Sequence, residues 1–256
     1  MRTRALLLPL TLFAALFASP ARSSPEKQPV IIELFTSEGC SSCPPADALL
    51  KELSEQQPFE GVQIIALEEH VDYWNSQGWK DPFSSADFTQ RQKDYAGIFS
   101  DATVYTPQLV IDGRAEIVGV HGRELEEQIR LSTLHPKPRL LLATPAAKKP
   151  HTLTLEVALD PASPPLAASS LDLWVVITER GLHSNVTAGE NSGETLRHAP
   201  VVRQLHKLHS VSLPLKSPLT VPIKLDEKWN SANLSVVVFL SDTHTLQIQA
   251  AGSSPL

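Results

Sequence analysis

The sequence predicts two domains of different class, an α/β domain followed by an all-β antiparallel sandwich. In the first half, short apolar runs rich in β-branched residues alternate with helical patterns. In the second half, apolar residues alternate with polar or small ones, and turn residues separate the segments. Between the halves, residues 135–150 contain four prolines and no helical period, which is typical of a domain boundary. We therefore expect an α/β domain over residues 24–136 and a β-sandwich domain over residues 137–256.

The N-terminus has the pattern of a secretory signal peptide. Arg2 and Arg4 precede an apolar run over residues 5–18, and small residues follow at positions 19, 21 and 23. A spanning helix needs about 20 apolar residues, so this run is short for one. We expect residues 1–23 to be a signal peptide and the protein to be periplasmic or secreted, with no stable membrane insertion after cleavage. An uncleaved N-terminal anchor is the alternative.

Composition excludes several classes of protein. The chain of 256 residues is 42% hydrophobic and 20% charged, which indicates neither disorder nor a multi-span membrane protein. Its net charge of −6 is spread along the sequence without a long basic block, so no nucleic-acid partner is expected. No organic cofactor is implied either.

The first half begins as strand, loop and helix. Residues 29–35 (PVIIELF) read as a buried strand, and Thr36 to Gly39 break it. After the cysteines, Ala46, Leu49, Leu50 and Leu53 form one apolar helical face. Residues 61–67 (GVQIIAL) read as a second buried strand, and a second helix is expected to start after Ser84 or Ser85.

A hairpin and a third helix complete this half. Strands over residues 109–111 and 116–120 flank Asp112-Gly113, which is a strong hairpin signal. Pro107 precedes the first of these strands. Proline has no N–H to donate to the hydrogen-bond ladder of a sheet, so a position at the entrance of a strand suits it. A helix over residues 123–134 follows, and beyond residue 150 we expect seven or eight antiparallel strands.

The only two cysteines, Cys40 and Cys43, stand between the first strand and the first helix. The predicted element order β-α-β-α-β-β-α, with the cysteine pair at the head of the first helix, resembles that of the thioredoxin fold. The stretches FTSEGCSSCPPAD, HVDYWNSQGWKDPF and YTPQLVIDGRAEIVG resemble a bacterial secreted family catalogued as domain of unknown function 1223. GENSGETLRHAPVVR resembles the C-terminal half of that family. The resemblance implies a thioredoxin-like first domain and a bacterial source, and the family has no settled activity.

The cysteine spacing predicts thiol–disulfide exchange. A helix N-terminus has unpaired N–H groups and a partial positive charge, so it favours a thiolate at Cys40. Cys43, one turn further, can close a disulfide with it. We expect Cys40 to be the nucleophile and Cys43 the resolving thiol, with both reachable from solvent. Glu38 adds negative charge nearby, which leaves the sign of the net pKa shift open.

Other residues are candidates for supporting roles. Thr106-Pro107 resembles the cis-proline pair that faces the cysteines in thioredoxin-like proteins, which implies that Thr106 binds an extended substrate segment. His70 is either a proton carrier or a structural histidine. Trp74 is either a packing residue or a substrate platform. Glu33 is either a proton acceptor for Cys43 or a residue at a solvated edge.

Three functions fit these residues. The first is a thiol–disulfide oxidoreductase acting on a protein thiol, protein disulfide or redox partner. The second is a secreted binding module in which Cys40 and Cys43 form a structural disulfide, although so short a loop gives little entropic stabilisation. The third is a copper carrier using both cysteines and a histidine such as His70. The first is our prediction, and it involves no metal site.

One polar stretch in the second half has no evident role. GENSGETLRHAPVVR, residues 189–203, includes Glu190, Asn191, Glu194, Arg197 and His198. It is either a long hairpin loop with solvated charges, or a surface that docks a partner or covers the thiol site.

Overall fold

A computed structural model describes residues 27–99, 103–119, 121–145, 151–166, 170–211 and 218–256. The predicted signal peptide lies outside these ranges. Within them, no helix combines the length and the apolar character needed to cross a bilayer.

The described ranges contain three α-helices and thirteen strands. The helices are α1 (Pro44–Gln56), α2 (Ala86–Ala96) and α3 (Gly122–Thr133). The strands are β1 (Gln28–Thr36), β2 (Val62–His70), β3 (Gln108–Ile111), β4 (Ala115–Val118), β5 (Leu140–Ala143), β6 (Thr152–Leu159), β7 (Leu171–Glu179), β8 (His183–Asn185), β9 (Thr195–Arg197), β10 (Val201–Val211), β11 (Leu219–Lys224), β12 (Leu234–Asp242) and β13 (Ile248–Pro255).

The local predictions for the first half are confirmed. Helices and strands follow in the expected order through α3, and the side chain of Ser85 caps α2 by accepting a hydrogen bond from the backbone N–H of Asp87 (3.2 Å). Asp112 and Gly113 both have positive φ in the tight turn between β3 and β4. β1 pairs with β2 in parallel and with β3 in antiparallel orientation.

The predicted fold class, an α/β thioredoxin-like domain followed by an all-β antiparallel sandwich, is wrong. Eight strands form one mixed sheet in the order β13-β12-β7-β10-β2-β1-β3-β4. β10 of the second half pairs with β2 of the first, where Val201 lies opposite Glu68 and the Glu68 N–H donates to the carbonyl oxygen of Pro200 (3.1 Å). The sheet therefore contains strands from both sides of residue 137. The domain boundary expected at this residue remains a prediction.

The sequence of β10 does not show the alternation by which a strand is recognised. Its register against β7 shifts between Val202 and Gln204 and again between Leu208 and Val211. Each shift breaks the two-residue period from which a strand is recognised in sequence. Without β10, the sequence offers no sign that the two halves share a sheet.

Apolar clusters fill both faces of the sheet. One lies beneath α1 and α3, and a second lies between β7, β12 and β13 and a separate three-stranded sheet, β11-β6-β5. A third joins Ile31 and Leu67 of the first half to Trp174 and Phe239 of the second. The sheet is curled so that the N–H of Ile248 at the start of β13 donates to the carbonyl oxygen of Asp112 (2.9 Å).

The close approach at Gly113 tests this curled arrangement. A Cβ added at Gly113 would overlap the carbonyl oxygen of Leu246, whereas one added at Gly119 would meet open space, and both residues have positive φ. We expect Gly119→Ala to cost about 1–2 kcal/mol through its backbone conformation alone. Gly113→Ala should cost roughly 1–3 kcal/mol more through overpacking. Chemical denaturation of both variants measures the difference, and equal losses would contradict the observed contact.

Candidate functional site

Cys40 and Cys43 form a disulfide in the turn that leads into α1. Their Cα atoms are 5.4 Å apart. The Cys43 N–H donates to the carbonyl oxygen of Cys40 (3.2 Å), and Cys43 occupies the N-cap position of the helix. The predicted placement of the pair at the start of the helix is confirmed.

The first turn of α1 offers fewer free donors than expected. Pro44 and Pro45 occupy its first two positions and have no N–H group. The N–H groups of Ala46 and Asp47 both donate to the carbonyl oxygen of Cys43. The donor beside Cys40 is instead the Ser42 hydroxyl, whose oxygen lies 3.3 Å from Cys40 Sγ.

The expectation that the cysteines are reachable from solvent is wrong. Both are fully buried, although Ser41 and Ser42 between them are exposed. The chain crosses over this turn in the polar stretch that the sequence singled out. The Asn191 side-chain amide donates to the carbonyl oxygens of Glu38 and Cys40, each at 2.9 Å.

Glu190 adds a second contact to this cover. Its carboxylate accepts a hydrogen bond from the Ser41 N–H (3.0 Å), and hydrogen bonds from Ser41 lower the pKa of Glu190. Of the roles considered for residues 189–203, the geometry therefore favours covering the disulfide. Burial arises here from tertiary contact, because 149 residues separate Ser41 from Glu190.

Thr106 and Pro107 lie at the same end of the sheet as the disulfide. Their peptide bond is cis, as the resemblance implied. Gln108, the next residue, pairs with Phe35 near the end of β1, the strand that leads to Cys40. Thr106 is half-buried and Pro107 is buried.

Trp74 connects these two loops. Its indole Nε1 donates to the Thr106 hydroxyl oxygen (2.8 Å). Its Cβ packs against Gly39, where an added Cβ would lie 3.3 Å from it. Trp74 is half-buried, so in this position it acts as a packing residue that joins the cysteine turn to the Thr106 loop.

Glu33 is engaged away from the cysteines. Its carboxylate accepts hydrogen bonds from Arg91 Nε (2.8 Å), from Arg91 Nη2 (3.2 Å) and from the Tyr95 hydroxyl. All three residues are buried. The interpretation of Glu33 as a solvated edge residue is therefore wrong. The proton-acceptor role for Cys43 stays a prediction, although the observed partners of the carboxylate are Arg91 and Tyr95.

Beneath the cysteine turn lies a buried row of alternating carboxylates and imidazoles, which we call the imidazole–carboxylate chain. Its members, in spatial order, are Glu38, His198, Glu68, His70 and Asp81, all fully or nearly fully buried. The distances between bonded atoms are 3.0 Å for Glu38 Oε1 to His198 Nε2, 2.8 Å for His198 Nδ1 to Glu68 Oε1, 3.1 Å for Glu68 Oε1 to His70 Nε2 and 2.7 Å for His70 Nδ1 to Asp81 Oδ2.

The imidazole–carboxylate chain is hydrogen-bonded to the backbone of the cysteine turn. Asp81 Oδ2 also accepts a hydrogen bond from the Glu38 N–H (2.8 Å). Glu38 Oε2 accepts one from the Trp79 indole (2.8 Å). Glu38 is therefore paired with a histidine and an indole and does not act as a free negative charge beside Cys40.

Carboxylates on both sides raise the pKa values of the two imidazoles. Burial alone would lower the pKa of His70, but the charge and hydrogen bonds of Asp81 and Glu68 outweigh it and raise this pKa well above its usual value. Burial opposes protonation of His198 too, yet hydrogen bonds to Glu38 and Glu68 raise its pKa to about 9. His70 is thus held by two acids at the end of β2, which supports the structural interpretation of this residue.

Asp47 is a buried acid close to both features. It follows Cys43 by four residues, so the two side chains share one face of α1. Burial and the charge of Glu68 raise the pKa of Asp47 to about 8, although a hydrogen bond from the Thr36 hydroxyl (2.6 Å) opposes the shift. Asp47 is therefore mostly an uncharged carboxylic acid at neutral pH.

Asp47, Glu68 and Asp81 are residues of the site that sequence reasoning did not predict. Glu68 follows the run that read as a buried strand, and an acid at the end of such a strand is a signal that could have been used. The i, i+4 spacing of Asp47 and Lys51 predicts an exposed ion pair between them, whereas Lys51 pairs with Glu55. Nothing in the local sequence places His198 beside Glu68, because that contact depends on the pairing of β10 with β2.

Fold and site together define a class of protein: a curled mixed sheet with a covered disulfide above a buried row of acids and histidines. A family model described as "Protein of unknown function (DUF1223)" matches residues 31–241, and the chain belongs to this family. No curated protein matches the chain.

Solved structures include one with the same overall fold. Protein AGR_C_4864 from Agrobacterium tumefaciens is 23% identical, with a TM-score of 0.64 over 89% of this chain and 94% of that one. The Escherichia coli curli protein CsgC is 13% identical over 47% of this chain and all of that one, with a TM-score of 0.24. A domain of the outer membrane lipoprotein Omp28 from Porphyromonas gingivalis is 12% identical over 47% of this chain and 88% of that one, with a TM-score of 0.25. At this identity the first shows the fold alone, and the other two are too dissimilar to inform the site.

Asn191 should control how fast the disulfide is reduced in the folded protein. Asn191→Ala removes both hydrogen bonds to the cysteine turn, each worth about 1 kcal/mol. We expect reduction by dithiothreitol under native conditions to be faster by up to roughly thirtyfold. Ser192→Ala, at an exposed neighbouring position, is the control and should match the wild type. Equal rates for all three proteins would mean that Asn191 does not limit access.

Asp47 should give the protein a distinctive dependence of stability on pH. An acid whose folded pKa is raised from 3.8 to about 8 stays protonated in the folded state while it ionises in the unfolded state, so stability is lost as pH rises through that window. Asp47→Asn keeps the acceptor for Thr36 and cannot ionise. Relative to wild type, the free energy of unfolding of this variant should therefore increase between about pH 4 and pH 8. Parallel curves from denaturant titrations over this range would contradict the raised pKa.

Proposed function

We propose that this protein is a thiol–disulfide oxidoreductase that acts on protein thiols or disulfides outside the cytosol. The observation that carries the proposal is the disulfide itself, which spans a single turn before α1 with the Ser42 hydroxyl on Cys40 Sγ. That hydroxyl would donate to a thiolate formed at Cys40 when the bond opens. The proposed location rests on the predicted signal peptide and on the persistence of disulfides in oxidising compartments.

The exchange would proceed in two steps. A substrate thiolate attacks Cys40 Sγ, forming a mixed disulfide and breaking the bond to Cys43, whose sulfur receives the electron pair and then a proton. A second substrate thiolate attacks the substrate sulfur of the mixed disulfide and displaces Cys40 as a thiolate. The substrate leaves with a disulfide, and the two electrons remain on the cysteine pair. The same steps in reverse reduce a substrate disulfide.

Asp47 is the proposed proton donor for Cys43. It lies one helical turn from that residue and carries its proton at neutral pH, with a pKa of about 8. A donor with a pKa near the working pH can give up a proton in one direction and recover it in the other. In the reverse reaction, the Asp47 carboxylate would take the proton from the attacking Cys43 thiol.

Substrate access requires movement of the cover over the disulfide. Two hydrogen bonds from Asn191 and one to Glu190 hold that cover to the turn. Thr106 is half-buried beside the end of β1, where its backbone could pair with an extended substrate segment. These three hydrogen bonds join residues that lie outside the strands, so they can break while the strand pairing stays intact.

The full burial of both cysteines favours a second candidate, a secreted binding module with a structural disulfide. A disulfide in this role would never exchange in the folded protein. The copper-carrier interpretation has less support, because the group of possible metal ligands around His70 consists of Glu68 and His198 and includes neither cysteine.

A redox titration distinguishes the two candidates. We expect the folded wild-type protein to pass from disulfide to dithiol in a single two-electron transition in defined glutathione buffers, measured by alkylation and mass spectrometry. Cys43→Ser should accumulate a mixed disulfide through Cys40, whereas the control Cys40→Ser should accumulate far less. A pair that stays oxidised in every buffer, together with a Cys43→Ser variant that captures nothing, would refute the oxidoreductase and favour the binding module.

A further inference from the structure

The centre of the imidazole–carboxylate chain has the donor atoms of a metal site. Glu68 Oε1, His70 Nε2 and His198 Nδ1 lie within 4.8 Å of one another. Tetrahedral coordination with bonds of about 2.0–2.1 Å separates ligand atoms by roughly 3.4 Å. The observed separations of Glu68 Oε1 from the two nitrogens, 2.8 and 3.1 Å, are within 1 Å of that value, and the two nitrogens lie at most 4.8 Å apart.

Both imidazoles are oriented as metal-bound imidazoles usually are. His70 Nδ1 is held by Asp81, and His198 Nε2 is held by Glu38. A carboxylate on the far nitrogen fixes the ring and leaves the near nitrogen with a lone pair directed at the ion. Asp81 performs this role for His70, and Glu38 performs it for His198.

Glu68 supplies an independent observation. Its side chain is fully buried, and its Oε2 atom has no hydrogen-bond partner among the residues that the structure describes. A buried carboxylate oxygen without a partner is costly. An ion bound at Glu68 would interact with this oxygen or its neighbour and remove that cost.

We propose that Glu68, His70 and His198 form a binding site for one divalent transition-metal ion of the Zn²⁺ class. Two imidazole nitrogens and one carboxylate oxygen suit Zn²⁺, and they suit Ca²⁺ or Mg²⁺ poorly because those ions select oxygen ligands. Three protein ligands leave a fourth position for water or for a small ligand. Neither cysteine is among the three ligands, so the site does not depend on the proposed thiol chemistry.

The charges of the surroundings also accept a divalent ion. Glu38, Glu68 and Asp81 surround the two imidazoles, so three carboxylates face the site. Three carboxylates grouped in this way favour a divalent cation.

One cavity adjoins the site at His198. A cavity of about 360 Å³ includes His198 in its lining, together with Lys51 on α1 and Arg180 beyond β7. Of the three proposed ligands, only His198 belongs to this lining.

Metal binding should be measured on the oxidised protein, in which Cys40 and Cys43 have no thiolate to offer. After dialysis against a chelator, we expect the wild type to bind one equivalent of Zn²⁺ by calorimetry and elemental analysis. Co²⁺ should give the visible bands of a four- or five-coordinate site without thiolate charge transfer. Glu68→Gln and His198→Gln should weaken Zn²⁺ binding at least a hundredfold, and Asp81→Asn roughly ten- to a hundredfold.

The control is His206→Gln, which removes an exposed histidine on β10 and should leave binding unchanged. Circular dichroism establishes whether each variant is folded. If the ligand variants do not fold, the Co²⁺ spectrum and stoichiometry of the wild type decide the question. Binding below one equivalent, a six-coordinate Co²⁺ spectrum, or full affinity in folded His198→Gln would overturn the proposal.

Discussion

The interaction on which the rest of this structure depends is the buried contact between Glu68 and His198. Glu68 is at the end of β2, and His198 lies just before β10, so their hydrogen bond accompanies the pairing that makes one sheet out of two halves. Ionised groups are costly to bury, and they are tolerated here because each imidazole nitrogen meets a carboxylate. Removing one partner would leave the others charged and unsatisfied at the centre of the fold.

This chain of acids and histidines also positions the disulfide. Glu38 belongs to the cysteine turn and is the end member of the imidazole–carboxylate chain, where it contacts His198. At the other end, Asp81 accepts a hydrogen bond from the Glu38 N–H. Asn191, seven residues before His198, covers the turn from the other side. The turn is thus fixed from below and from above by parts of the chain that are remote in sequence, and the same electrostatic field acts on Asp47 beside Cys43.

A second buried charge performs a comparable task on the other face of the sheet. Arg91 pairs with Glu33 and lies over the rings of Trp174 and Phe239, with centroid distances of 4.5 and 5.4 Å. Its guanidinium therefore contacts both the strand that leads to the cysteines and the strands of the second half. Both junctions between the halves combine apolar packing with a charged pair, which specifies one arrangement more tightly than apolar contact alone.

The sequence by itself determined the local elements, the cysteine pair at the start of α1, the Asp112-Gly113 hairpin and the family. These features depend on neighbours within a few residues, whose periodicity, capping and turn chemistry can be seen directly. Only the tertiary structure decided that β10 joins β2, that Arg91 neutralises Glu33, that Asn191 covers the disulfide and that His198 meets Glu68. Each of these is a contact between distant segments, and the bulges in β10 erase the one periodic signal from which the first of them could have been inferred.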